Sequence, residues 1–239
     1  MVPRPLTPIA VSNERVRPAD TKTDSRALWL QLLTVYASLE GTLWTMGAVH
    51  TALIALTAAL AATWSLSEPR FWPDLGLDPR SIRRGWWIVP IAVAVAGLIL
   101  LAAWRWHTLR PPADRLSLHL KVLVYPIWAL MQQFLVQSFF FLRLEQLLRS
   151  GRRAVLVTAL LFSSTHIPNP VLVPATLIGG LLLSEVFCRY RTLYLLAVAQ
   201  VLVAVALLIS VPASEMRGMR VGIGYACYHV AKCGSVSFR

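Results

Sequence analysis

Apolar runs of close to twenty residues recur along this chain, and they constrain its fold more than any other feature. Residues 48–66, 86–104, 171–187 and 193–211 are almost free of charge, and each is about as long as a helix needs to be to cross hydrocarbon. Inside a bilayer the backbone must satisfy its own polar groups, which a helix does without help. Adding 27–44, 116–142 and the shorter 154–165 gives an all-α, polytopic transmembrane bundle of about seven helices. Composition agrees. Of 239 residues, 56% are hydrophobic and 14% charged, against about 25% charged in soluble domains. Residues 1–26 read as a polar, proline-rich N-terminal tail, 27–212 as the transmembrane domain and 213–239 as a C-terminal tail. The first 26 residues lack the apolar core of a cleaved signal peptide.

The formal net charge of +12 raises the question of nucleic acid. The basic residues form no single stripe and fall between apolar runs, so membrane headgroups are the expected partners and nucleic acid is not. With seven helices, the side bearing the N-terminus holds 15 Lys and Arg and the other side 8. The positive-inside rule then puts the N-terminus in the cytoplasm of a protein integral to the cell membrane. Trp86, Trp87, Trp104 and Trp106 bracket one run as interfacial belts. The three cysteines and five histidines show no metal-ligand spacing and no disulfide framework, so neither a metal nor a cofactor is implied.

Polar side chains inside the apolar runs are few. In "QQFLVQSFFFLR", Gln133 and Gln137 lie four apart and share a helix face, while Gln132 sits about 100° round. Read alone, they are interhelical hydrogen-bonding residues, each bond averaging about 0.6 kcal/mol. His166 ends a helix in "FSSTHIPNP", where a lone histidine is as well explained by a local cap, and Asn169 between two prolines suits a turn. Gln200 lies deep in the last run. Glu185 has Arg189 one turn on, and Glu145 has Arg149, both at ion-pair spacing. Glu40 has no local partner.

Three stretches together resemble one family, the CPBP intramembrane endopeptidases, which include the CAAX prenyl proteases and abortive-infection membrane proteins. "QQFLVQSFFFLRLE" aligns in frame with the common form "EELLFRGFLFPRLE"; Phe162-Ser163-Ser164-Thr165-His166 is an intact Phe-x-x-x-His; Gln200 falls where a late His-x-x-x-Asn/Asp begins. The similarity spans about residues 85–212. It implies a membrane-embedded peptidase site at Gln132, Gln133, His166 and Gln200, with Gln137 and Asn169 as candidate binding positions. It also implies a membrane-embedded or lipidated peptide as substrate.

The departures are themselves patterned. Glutamine replaces both glutamates, the arginine and the last histidine, and Ala204 follows four residues after Gln200. In the family a glutamate is thought to activate water while histidines position it and stabilise the oxyanion. An amide cannot accept a proton near neutral pH, and losing such a base removes about 10²–10⁴ in rate. It can still donate hydrogen bonds to a carbonyl. Losing the charges together avoids the cost of one buried charge left unpaired, so the glutamines read as a neutralised protease site. Three outcomes follow: a peptidase using a carboxylate from outside the motif, with Glu40 ahead of Glu185; a non-catalytic relative that binds membrane peptides or partner proteins; or a small transporter or channel subunit. The scarcity of intramembrane charge weighs against the last.

Overall fold

The computed structural model describes residues 25–109 and 115–227, and all regular structure among them is helical. The chain runs through α1 (Ser25–Leu43), α2 (Gly47–Leu66), a 3-10 turn (Pro69–Asp74), α3 (Arg80–Gly85), α4 (Ile88–Arg105) and α5 (Arg115–Gln133). It continues through a π-helical segment (Phe134–Phe141), α6 (Leu142–Leu148), α7 (Gly151–Ser164), α8 (Leu172–Tyr190) and α9 (Leu193–Ser210). Two short helices, α10 (Ala213–Met216) and α11 (Gly222–Ala226), follow. The seven expected helices are all present, with α5, the π segment and α6 forming one continuous rod. Among the described residues five helices are long and apolar enough to cross a membrane: α2, α4, the rod from Val124 to Leu148, α8 and α9. At 14 residues α7 is too short for that measure, and α1 carries Arg26 and Glu40 in a less apolar sequence.

Helices joined by short turns pair, α1 on α2 and α7 on α8, and α9 lies between α4 and α5 with its first turn beside the start of α4. Small residues set the closest approach. A Cβ on Gly180 of α8 would meet the Ala159 Cα of α7 at 3.1 Å, the kind of contact that lets membrane helices gain dispersion energy in the absence of a water-driven hydrophobic effect. The core is aromatic where the rod passes through it. Phe139 and Phe140 meet edge to face at 5.2 Å, and Phe141 meets Phe187 of α8 at 5.7 Å. Trp64 of α2 stacks on Phe139, and Tyr36 of α1 meets Phe140 edge-on. Outward, Trp86, Trp104 and Trp106 are well exposed, as belt residues at a lipid interface would be, whereas Trp87 packs against Tyr190.

Arg143, near the start of α6, points into the bundle. It is fully buried, its Nε donating to Gln31 Oε1 of α1 at 2.7 Å and its Nη1 to the Phe139 carbonyl at 3.3 Å. Its guanidinium lies 4.0 Å over the Phe139 ring and 3.5 Å from the Glu68 carboxylate. The expected partner of Glu145 changes. Arg149 takes a left-handed conformation (φ 49°) that ends α6, and Glu145 Oε2 instead accepts from Arg191 Nη2 at 2.6 Å. Glu185 does pair with Arg189, at 2.7 Å to Nε. A disulfide holds Cys227, a bond that the cysteine spacing did not foretell.

Candidate functional site

The four glutamines converge through side chains on two helices. Gln133 and Gln137 are one turn apart on the rod, where α5 passes into the π segment, and Gln200 faces them from α9. Gln137 Nε2 donates to Gln133 Oε1 at 3.3 Å, and Gln133 Nε2 donates to Gln200 Oε1 at 2.5 Å. Gln200 Nε2 in turn donates to Gln132 Oε1 at 2.5 Å. The amides therefore form one directed chain, Gln137 to Gln133 to Gln200 to Gln132, with Gln200 inserted between the neighbouring pair. Gln133 and Gln137 are fully buried, and Gln137 Oε1 at the head of the chain has no partner among the described residues. The Tyr125 hydroxyl, two turns before Gln132, reaches Gln200.

His166 follows the end of α7. The rod and α7 form a hairpin turning at Arg149–Ser150, and Gln133 and His166 lie equally far from that turn in sequence. The hydrogen bonds of the imidazole are local: Nδ1 is 2.8 Å from the Phe162 carbonyl and 3.2 Å from Thr165 Oγ1, with the Phe162 ring edge-on. Phe162 of the Phe-x-x-x-His stretch thus holds the ring from both its carbonyl and its side chain. Burial lowers the His166 pKa from its ordinary value, an effect the Phe162 bond opposes.

Asn169 is committed elsewhere. Its Oδ1 accepts from the N–H groups of Val171 and Leu172 at the entrance to α8, and its Nδ2 donates to the carbonyls of Met216 and Arg220. With both donors and both acceptor positions in use, it is a structural hub, as its place between prolines foretold. Glu40 has a buried Oε1 without a hydrogen-bond partner among the described residues, and Tyr36 one turn before approaches its carboxyl. Among the described residues, no carboxylate bonds to any of the four glutamines or to His166, and no three His, Cys, Asp or Glu side chains gather as a metal site would require.

Against this geometry the comparison with known families is specific. Residues 115–206, which hold the whole amide chain and His166, match the model of the Rce1-like type II CAAX prenyl endopeptidases. Over this segment the chain is similar to that family. The resemblance to CPBP endopeptidases read from three short stretches is thereby borne out over less than half of the chain. No curated protein and no solved structure matches. Within the Rce1-like segment, Arg143 escaped the sequence reading. The in-frame comparison contains the signal, because Arg143 and Glu145 are identical to the family form.

Proposed function

We propose that this is a non-hydrolytic Rce1-like membrane protein, which uses its amide chain and His166 to bind a membrane-embedded or lipidated peptide instead of cutting it. One observation carries the reading: at the family's catalytic positions four neutral amides hydrogen-bond to one another, with no carboxylate among their partners. Hydrolysis needs a group that takes a proton from water as the new C–O bond forms. An amide with pKa far from neutrality cannot fill that role, whereas amide N–H and C=O groups match the donors and acceptors of an extended peptide. The charge asymmetry supports an N-terminus in the cytoplasm.

The test is binding and turnover of a farnesylated CAAX-type peptide by the protein in lipid nanodiscs, with products read by mass spectrometry. Binding with the peptide recovered intact is expected. Cleavage that disappears in His166→Ala would overturn the reading and direct attention to Glu40. Restoring Gln132→Glu and Gln133→Glu together should not bring full hydrolysis while position 200 remains glutamine.

A further inference from the structure

The segment after α9, beyond the Rce1-like match, folds back onto the turn that follows His166. Asn169 Nδ2 holds it at two points, 2.9 Å from the Met216 carbonyl and 3.0 Å from the Arg220 carbonyl. The Gly222 N–H then donates to the Ile167 carbonyl at 2.9 Å. Gly222 (φ +54°) lies so close to the end of α1 that a Cβ there would meet the Leu43 carbonyl oxygen at 2.2 Å. Met216 is fully buried. The segment is also tied to itself: Arg217 Nη1 donates to the Tyr225 carbonyl at 2.6 Å with its guanidinium 4.2 Å over the Tyr225 ring, and the Tyr225 hydroxyl donates to the Glu215 carbonyl. Residues 213–226 are therefore a preformed strap seated between α1 and the His166–Asn169 turn.

We propose that this strap controls access to the His166 end of the site, with Asn169 as its latch. The inference rests on the reading of His166 as part of the ligand site. The attachment has an uneven construction: α8 uses Asn169 Oδ1, whereas the strap uses the amide Nδ2, the Gly222 N–H on the Ile167 carbonyl and the close fit at Gly222. Removing the Nδ2 donor of Asn169 therefore loosens the strap at two of its ties while leaving α8 capped. Asn169→Asp makes that separation, since a carboxylate still accepts from the Val171 and Leu172 N–H groups but turns an oxygen toward the Met216 and Arg220 carbonyls. Gly222→Ala releases the strap independently, by a clash with backbone in a conformation that disfavours side chains.

The experiment compares thiol labelling in lipid nanodiscs in a His166→Cys, Cys188→Ala parent, alone and with either releasing variant. Modification at position 166 is read by peptide mass, and hydrogen–deuterium exchange is followed over 213–226 and 171–176. Both releasing variants should speed labelling by about tenfold and expose the strap amides, while 171–176 stays protected in Asn169→Asp. Three results would each overturn the strap: equal labelling rates despite faster strap exchange, unchanged strap exchange in both variants, or loss of protection across the start of α8 in step with the strap. Peptide binding is scored separately. Absence of binding in the unaltered protein and in both single variants Asn169→Asp and Gly222→Ala would defeat the binding reading without touching the labelling result.

Discussion

Gln200 is the residue on which the amide chain depends, because it both accepts from Gln133 and donates to Gln132. Two interhelical bonds in a membrane bundle contribute about 1 kcal/mol together, and stranding their partners adds to the loss. Gln200→Leu is therefore expected to destabilise the protein by about 1–3 kcal/mol in a micelle unfolding titration. Gln137→Leu should cost less, since it removes a single 3.3 Å bond along with an acceptor that has no partner. His166 supplies the pH dependence. Burial holds its pKa below the ordinary 6.5, so the unfolded chain takes up a proton before the native protein does. The His166 contribution to stability is whole above that value and falls as pH drops from about 6.5 through the native pKa. Unfolding measured between pH 5 and 8 should show a shallower slope in His166→Gln than in the unaltered protein. Equal slopes would mean the imidazole titrates alike in both states.

At the scale of elements, the π-helical segment joins the amide chain to the core. Its residues Phe134–Phe141 place Gln137 inward, pack three phenylalanines against aromatic rings of α2, α8 and α1, and lead directly to Arg143. Such segments interrupt α-helices chiefly at functional sites. Arg143 ties the rod to Gln31 and Glu68, groups outside the Rce1-like segment. Arg143→Met should cost about 3 kcal/mol, because a partly buried Glu68 and the Gln31 carbonyl lose their guanidinium partner. Arg143→Lys should recover part of this, an ammonium being unable to serve the fork of acceptors at once. These features mark the limit of the sequence reading. Most helix ends were legible within a few residues from apolar run length and the prolines at 168 and 170, but the rod expected to stop at 142 runs on to Leu148, because the buried Arg143 and paired Glu145 continue it. The π turn was not, since an almost uniformly apolar "FLVQSFFF" has no periodicity to betray a wider helix. Local spacing paired Glu185 with Arg189 correctly but misassigned Glu145, whose partner Arg191 is 46 residues away. The meeting of Gln132 and Gln133 with Gln200 was legible only through the family motif, as no periodicity links residues 67 apart.

For the whole molecule, the segment similar to Rce1-like endopeptidases carries a chain of four amides that, among the described residues, bonds to no carboxylate. Binding should therefore be insensitive to pH from about 7 to 9, since amides do not titrate and His166 is already neutral there. A Gln132→Glu, Gln133→Glu, Gln200→His triple variant should introduce a pH dependence together with some turnover, because only that combination returns both a base and an imidazole to the amide chain. The most direct measurement is a single-turnover assay on the unaltered protein in nanodiscs, with a farnesylated peptide at a concentration where binding is established. The account predicts that the peptide remains whole while the triple variant releases its C-terminal fragment. Release by the unaltered protein, at a rate that His166→Ala removes, would contradict it.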